Sequence, residues 1–190
     1  SKLRTTLGLS YLALDTTRID GNQTLKGNRE GHQLFISAEL REQIFNEFNY
    51  HNKWEWYVGG DWSLTQLHEF EESGGNNSLV FEDQIIRQAQ IRIGLDWSRA
   101  YTTDNRIIVP FAGIEFSKNL SPASNASMRY SNETEVYTYK IDDDYDYKWS
   151  SQMGFDYYLD EIRFGVIYER EEQSDSGYMD SLNFGAEGKF

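Results

Sequence analysis

Apolar and polar residues alternate with a period of two along most of this chain, and helical spacing is almost absent. "TLGLSYLA" sets Leu7, Leu9, Tyr11 and Ala13 against Thr6, Gly8 and Ser10. "QLFISAELR" sets Leu34, Ile36, Ala38 and Leu40 against Gln33, Ser37, Glu39 and Arg41. The same division places Trp54, Trp56, Val58, Trp62 and Leu64 opposite Glu55, Tyr57, Asp61 and Ser63. It recurs with Ala89, Ile91, Ile93, Leu95 and Trp97 opposite Gln88, Gln90, Arg92 and Asp96. Further on, Trp149, Met153, Phe155 and Tyr157 oppose Lys148, Gln152 and Asp156, and Ile162, Phe164, Val166 and Tyr168 oppose Arg163, Gly165 and Glu169. "RIIVPFAGIEF" is apolar on both faces apart from Glu115, and Pro110, lacking an N–H, predicts a ladder gap or a bulge there. The final strand sets Leu182, Phe184, Ala186, Gly188 and Phe190 against Ser181, Asn183, Gly185, Glu187 and Lys189. That makes eight strands.

The connections alternate too. Short ones ("NYHN", "TTDN", "DE") separate long polar ones at about 15–31, 67–82, 118–145 and 170–177. In an up-and-down sheet this gathers every long loop at one end and every short turn at the other. The 190 residues are expected to form a single domain.

Which face is the core depends on side-chain size. A soluble ligand barrel turns its apolar residues inward, and a membrane barrel turns them outward. An eight-stranded interior is only just wide enough for its own side chains. It has no room for Trp54, Trp56, Trp62, Trp97, Trp149 and a dozen more rings. The opposite faces carry glycine, serine, threonine, glutamine and isolated charges, which suit a narrow lumen. The apolar faces are therefore expected to meet lipid, with Trp54, Trp56, Trp62, Trp97, Trp149 and Tyr157 as interfacial aromatics. Glu42 and Arg87 fall on those faces by strict alternation, near strand ends where headgroups or water can receive them.

Composition narrows the classes. Mean hydropathy is −0.70, yet aromatics make up 15% of the chain, which argues against disorder. A net charge of −13 argues against nucleic acid as a partner, because neutralising phosphates needs clustered Lys and Arg. Having no cysteine, the chain can form neither disulfides nor thiolate metal sites.

On these residues the sequence resembles bacterial outer-membrane β-barrels, specifically the small eight-stranded OmpA/OmpX-like group. The resemblance implies an all-β, eight-stranded antiparallel up-and-down transmembrane β-barrel in the bacterial outer membrane. Leu182, Phe184, Ala186 and Phe190 look like the terminal signal read by the outer-membrane assembly machinery, with Gly188 departing from it. Expected partners are that machinery, outer-membrane lipid and lipopolysaccharide, and a protein at the loops or barrel wall. No cofactor is expected.

The lumen would hold Glu39, Arg41, Arg92, Asp96, Glu115, Lys148, Arg163 and Glu187, both signs together, predicting ion pairs that close it. Asp142, Asp143, Asp144 and Asp146 are a weak Ca²⁺ candidate, because the regular loop spacing and its glycine are missing. His32 and His68, with Ser37, Ser63 and Ser73 nearby in sequence, raise a lipid A-modifying enzyme, but no spacing binds them into a triad. The leading expectation is a non-catalytic surface structural, adhesion or interaction protein working through its loops. Alternatives are a membrane anchor for a partner, a narrow channel or carrier, and, behind these, an enzyme or a soluble ligand barrel.

Overall fold

A computed structural model describes residues 1–44, 52–103, 106–141, 145–174 and 176–188. The described chain is all-β. Its long strands are β1 (Lys2–Asp20), β2 (Gln23–Ile44), β3 (Asn52–Leu67), β6 (Gln84–Arg99), β8 (Arg106–Asn119), β11 (Tyr147–Leu159), β12 (Ile162–Gln173) and β13 (Gly177–Gly188). They pair antiparallel in that order to form one curled sheet, and β7 (Tyr101–Thr103) continues β6 against β8. A second sheet at the long-loop end runs β10 (Tyr137–Ile141), β9 (Ser124–Tyr130), β5 (Leu79–Phe81) and β4 (Phe70–Glu71).

This differs from the expected closed eight-stranded barrel. Among the described residues there are thirteen strands in two sheets, and β1 and β13 do not pair, so the main sheet is an open half-barrel. Alternation specifies which face of a strand meets lipid; it carries no information on whether the two edges of the sheet meet.

The faces do follow the alternation. Leu7, Leu9, Ile36, Trp54, Val58, Trp62, Ile91, Ile93, Ile114, Trp149, Phe155, Phe164 and Phe184 are all exposed on the convex side. The concave side takes the polar residues and glycines such as Gly8, Gly59, Gly94, Gly113 and Gly165, while Gly60 shares the outward parity of Val58 and Trp62. Among the described residues no helix is long and apolar enough to cross a membrane.

Two local features follow from single residues. Ser98 pairs with Phe111 and Tyr101 with Ile108 in one continuous register, but the ladder is broken between them, at Arg99 and Ala100. Pro110 stands opposite this break and has no N–H to bridge it; of the two outcomes read from sequence, the gap is the one adopted. At the other end, residues 15–31 are not a loop. β1 and β2 pair without interruption from Lys2↔Arg41 to Asp20↔Gln23, joined through Gly21 and Asn22. Gly21 has φ 59°, the positive value a two-residue hairpin needs at its first central position. A membrane strand needs only about 9–11 residues, so roughly half of this hairpin stands beyond the bilayer. Residues 170–173 likewise belong to β12.

The projecting hairpin is held by the second sheet. Lys26 and Ser73 exchange backbone hydrogen bonds of 2.9 and 2.7 Å, and Leu25 is fully buried beneath the contact. Phe70 stacks on Phe81 with centroids 4.7 Å apart. Arg18 Nη2 donates to Glu72 Oε2 at 2.7 Å, and Glu72 Oε2 also accepts the Leu79 N–H at 3.0 Å. These contacts, Arg18 first, hold the Glu72 carboxyl below the usual carboxylate range. A lowered folded-state pKa contributes stability that is full above the unfolded value, about 4.3, and is lost as pH falls through the folded one. Proteolysis of the cap is therefore expected to accelerate between pH 7 and pH 3, while Glu72→Gln flattens that dependence. Equal protease resistance at both pH values in the wild type would remove Glu72 from the account.

Candidate functional site

The concave face is organised in cross-strand rows. One row is Arg41–Tyr57–Gly94–Glu115, and the neighbouring row is Glu39–Gly59–Arg92–Ser117. Each row has a glycine where a large side chain must cross. A Cβ on Gly59 would sit 2.9 Å from Arg92 Nε, and one on Gly94 would strike the Tyr57 ring. Across these gaps Arg92, on β6, reaches Glu39 on β2 at 3.4 Å, two strands away. Tyr57, on β3, donates its hydroxyl to Glu115 on β8 at 2.8 Å.

The charges then join into one network. Arg92 also pairs with Asp61 on β3 and approaches Glu115 at 4.0 Å. Arg41 contacts Asp96 at 2.5 Å, Glu39 at 3.3 Å and Glu55 at 4.0 Å, and its guanidinium lies over the Tyr57 ring, 4.3 Å from the centroid. Lys53 binds Glu55 at 2.9 Å. Glu39, Arg41, Arg92, Asp96 and Glu115 thus come together as one cluster. The other three lumen candidates do not join it. Lys148 pairs with Glu171 at 3.1 Å, and Arg163 with Asp156 at 2.9 Å and Glu187 at 3.9 Å. Between the cluster and this second half lies a cavity of about 260 Å³, lined by Tyr57, Asp96, Glu115, Gln152 and Glu171 among others.

Tyr57, Lys53, Glu55 and Glu171 were missing from the candidate set. Tyr57 is only 7% exposed. The signal available was its parity with Asp61, opposite a glycine on the next strand: a large polar residue facing a gap crosses it.

On the convex side Trp54 and Trp97 are direct cross-strand partners, with centroids 6.3 Å apart. Trp54 and Trp62 lie eight residues apart on β3, as Trp149 and Tyr157 do on β11. Eight residues are about 26 Å along a strand, or about 20 Å of height at a tilt near 40°. That spacing matches rings at the two margins of an apolar band. Trp56 is one position further into the band from Trp54, beside Leu95. Leu182, Phe184 and Ala186 face outward on β13; Phe190 lies outside the described residues.

Asp142, Asp143 and Asp144 also lie outside the described residues, and Asp146 stands 3.7 Å from Lys118. Among the described residues no group of three or more His, Cys, Asp or Glu side chains could hold a metal ion. His32 lies between Tyr11, tilted at 54°, and His68, edge-on at 76°, with centroids 5.5 Å away on each side, on the convex face. Ser37 and Ser63 belong to the concave parity, and Ser73 is engaged with the backbone of Lys26. The structure brings the histidines together without a serine. His51 lies outside the described residues.

Comparison with known proteins gives one family: the model described as Autotransporter beta-domain matches residues 1–169. No curated protein matches the chain.

Proposed function

Because this chain belongs to the autotransporter β-domain family, outer-membrane β-barrels of bacteria, we propose that it is a non-catalytic surface anchor. The barrel holds the protein in the outer membrane, and the β-cap at the long-loop end is the surface that meets other molecules. The observation that carries this is the cap itself. A mere connection between membrane strands needs no half-buried ion pair, no stacked rings and no second sheet, yet all three are here. The free edge of that sheet, β10, exposes Tyr137, Tyr139 and Ile141. Exposed tyrosines on a rigid support suit contact with a partner, because they offer large area at small entropic cost. The convex position of His32 and His68, away from Ser37 and Ser63, fits the absence of a catalytic role.

The test uses cells displaying the protein with an epitope inserted between Gly21 and Asn22. Intact cells are expected to stain, and replacing Tyr137 and Tyr139 with serine is expected to leave staining intact while abolishing adherence to host or neighbouring cells. Unchanged adherence would move the working surface away from β10.

The family supplies a second reading: the barrel carries a passenger segment outward. The polar, ion-paired concave face favours it, because an extended chain passing a hydrated wall leaves no backbone group without a partner. A reporter fused before Ser1 that stays inaccessible on intact cells would count against it.

A further inference from the structure

The two edges of the main sheet, β1 and β13, have no strand beside them among the described residues. Leu7 and Leu9 on one edge and Leu182 and Phe184 on the other are exposed on the lipid-facing side. Hydrocarbon offers no partner to a free backbone N–H or C=O, so neither edge can stay bare there.

The edges are complementary in one antiparallel register. Setting Arg4 opposite Glu187 puts Thr6 against Gly185 and Ser10 against Ser181 on the concave side, and Leu7 against Phe184 and Leu9 against Leu182 on the convex side. Leu12 and Met179, apolar residues at concave positions, then meet each other. Arg4 lies across from Glu39, which Arg41 and Arg92 already bind. The Glu187 side chain is 79% exposed, and Arg163, at 3.9 Å, is its one cation among the described residues. Geometry selects the same register. The row Glu39–Gly59–Arg92–Ser117 begins at Arg4 and continues through Lys148 and Gln173 to Gly177 on β13. Glu187 is ten residues further along that strand. A stagger of that size over eight strands is about 33 Å along for about 38 Å across, a tilt of about 41°, within the range of closed barrels.

The curl of one chain is too wide to bring its own edges together. An eight-stranded interior is just wide enough for its side chains, so facing walls touch. Here no side chain of β2 or β3 bonds to one of β11, β12 or β13 among the described residues; their ion pairs stay on their own walls. A Cβ on Gly185 would meet no atom within 4 Å. We propose that two copies of this chain complete one barrel, β1 of each pairing with β13 of the other. A two-fold axis along the membrane normal satisfies both edges of both copies and keeps both caps on one side. The stagger doubles with the number of strands, so the tilt is unchanged. The pairing needs outer-membrane placement but not a binding role for the cap, so adherence results leave it untouched.

The chain has no cysteine, so engineered ones read the seam without background. Thr6→Cys and Gly185→Cys, on separately tagged chains, are refolded together in vesicles once the mobility shift of the unheated protein confirms that each folds. Oxidation is expected to give a covalent dimer carrying both tags, while each variant alone stays a monomer. Ser181→Cys in place of Gly185→Cys, four residues off register, should give about tenfold less dimer, because its Cα lies beyond the ~7 Å that a disulfide spans. Without crosslinks, the wild-type protein in micelles should have twice the 22.2 kDa mass of one chain by sedimentation. A link that forms within one chain carrying both cysteines, at monomer mass, overturns the second copy in favour of self-closure. A folded protein that stays monomeric and forms neither link overturns the pairing altogether.

Discussion

Replacing Arg92 with alanine is expected to destabilise the folded barrel by about 2–3 kcal/mol, between the cost of breaking a buried ion pair and that of breaking an exposed one, because the network is partly buried. The side chain touches Glu39, Asp61 and Glu115. Without it those three carboxylates face one another across Gly59, with Arg41 too far committed to Asp96 to serve all of them. Arg92→Lys keeps the charge but loses the fork that contacts three acids at once, so it should fall between wild type and alanine. Urea titration of protein refolded in detergent micelles or vesicles reads both variants. If the alanine variant unfolds within about 0.5 kcal/mol of wild type, these pairs behave as solvent-exposed ones, and the lumen is a wet channel rather than a closed one.

One residue along the chain, the opposite face gives the second large effect. Ile93 points outward between Val58 and Phe116 and is 56% exposed in the isolated protein. Arginine there would meet hydrocarbon near the middle of the band, and Ile93→Arg should cost about 2–4 kcal/mol in a bilayer. In a water-soluble barrel the same substitution at an exposed site would cost little. Vesicle-insertion yield and urea midpoint therefore separate the two environments. A neutral Ile93→Arg would return the wall to water and overturn the membrane placement of every ring on it.

These two predictions use the part of the fold that alternation makes legible. Within the bilayer each strand residue has lipid on one side and lumen on the other, so the period-2 signal is strong and Ile93 and Arg92 are told apart at once. Beyond the bilayer the signal fails. Residues 15–31 are polar on both faces apart from Ile19 and Leu25, because both faces meet water or the cap, and they read as a loop although they form a regular hairpin. Gly21-Asn22, a pair suited to a two-residue hairpin loop, is the clue that places its tip. β4 and β5 have two and three residues, too few for any period to show. The lumen cluster was half legible: parity assigned Glu39, Arg41 and Arg92 to one face, but only the cross-strand register shows that Gly59 and Gly94 let side chains skip a strand. Closure was not legible at all, since nothing in a strand's own pattern names its neighbour.

Those skipped strands bear on how the molecule comes apart. Arg92 ties β6 to β2 across β3, and Tyr57 ties β3 to β8 across β6, so no single hairpin among these four can peel away without also breaking a bond to a strand beyond its neighbour. Under a pulling force β2, β3, β6 and β8 should yield as one block in a single large event. β12 and β13, joined to the rest through adjacent pairs alone among the described residues, should unzip first and in small steps.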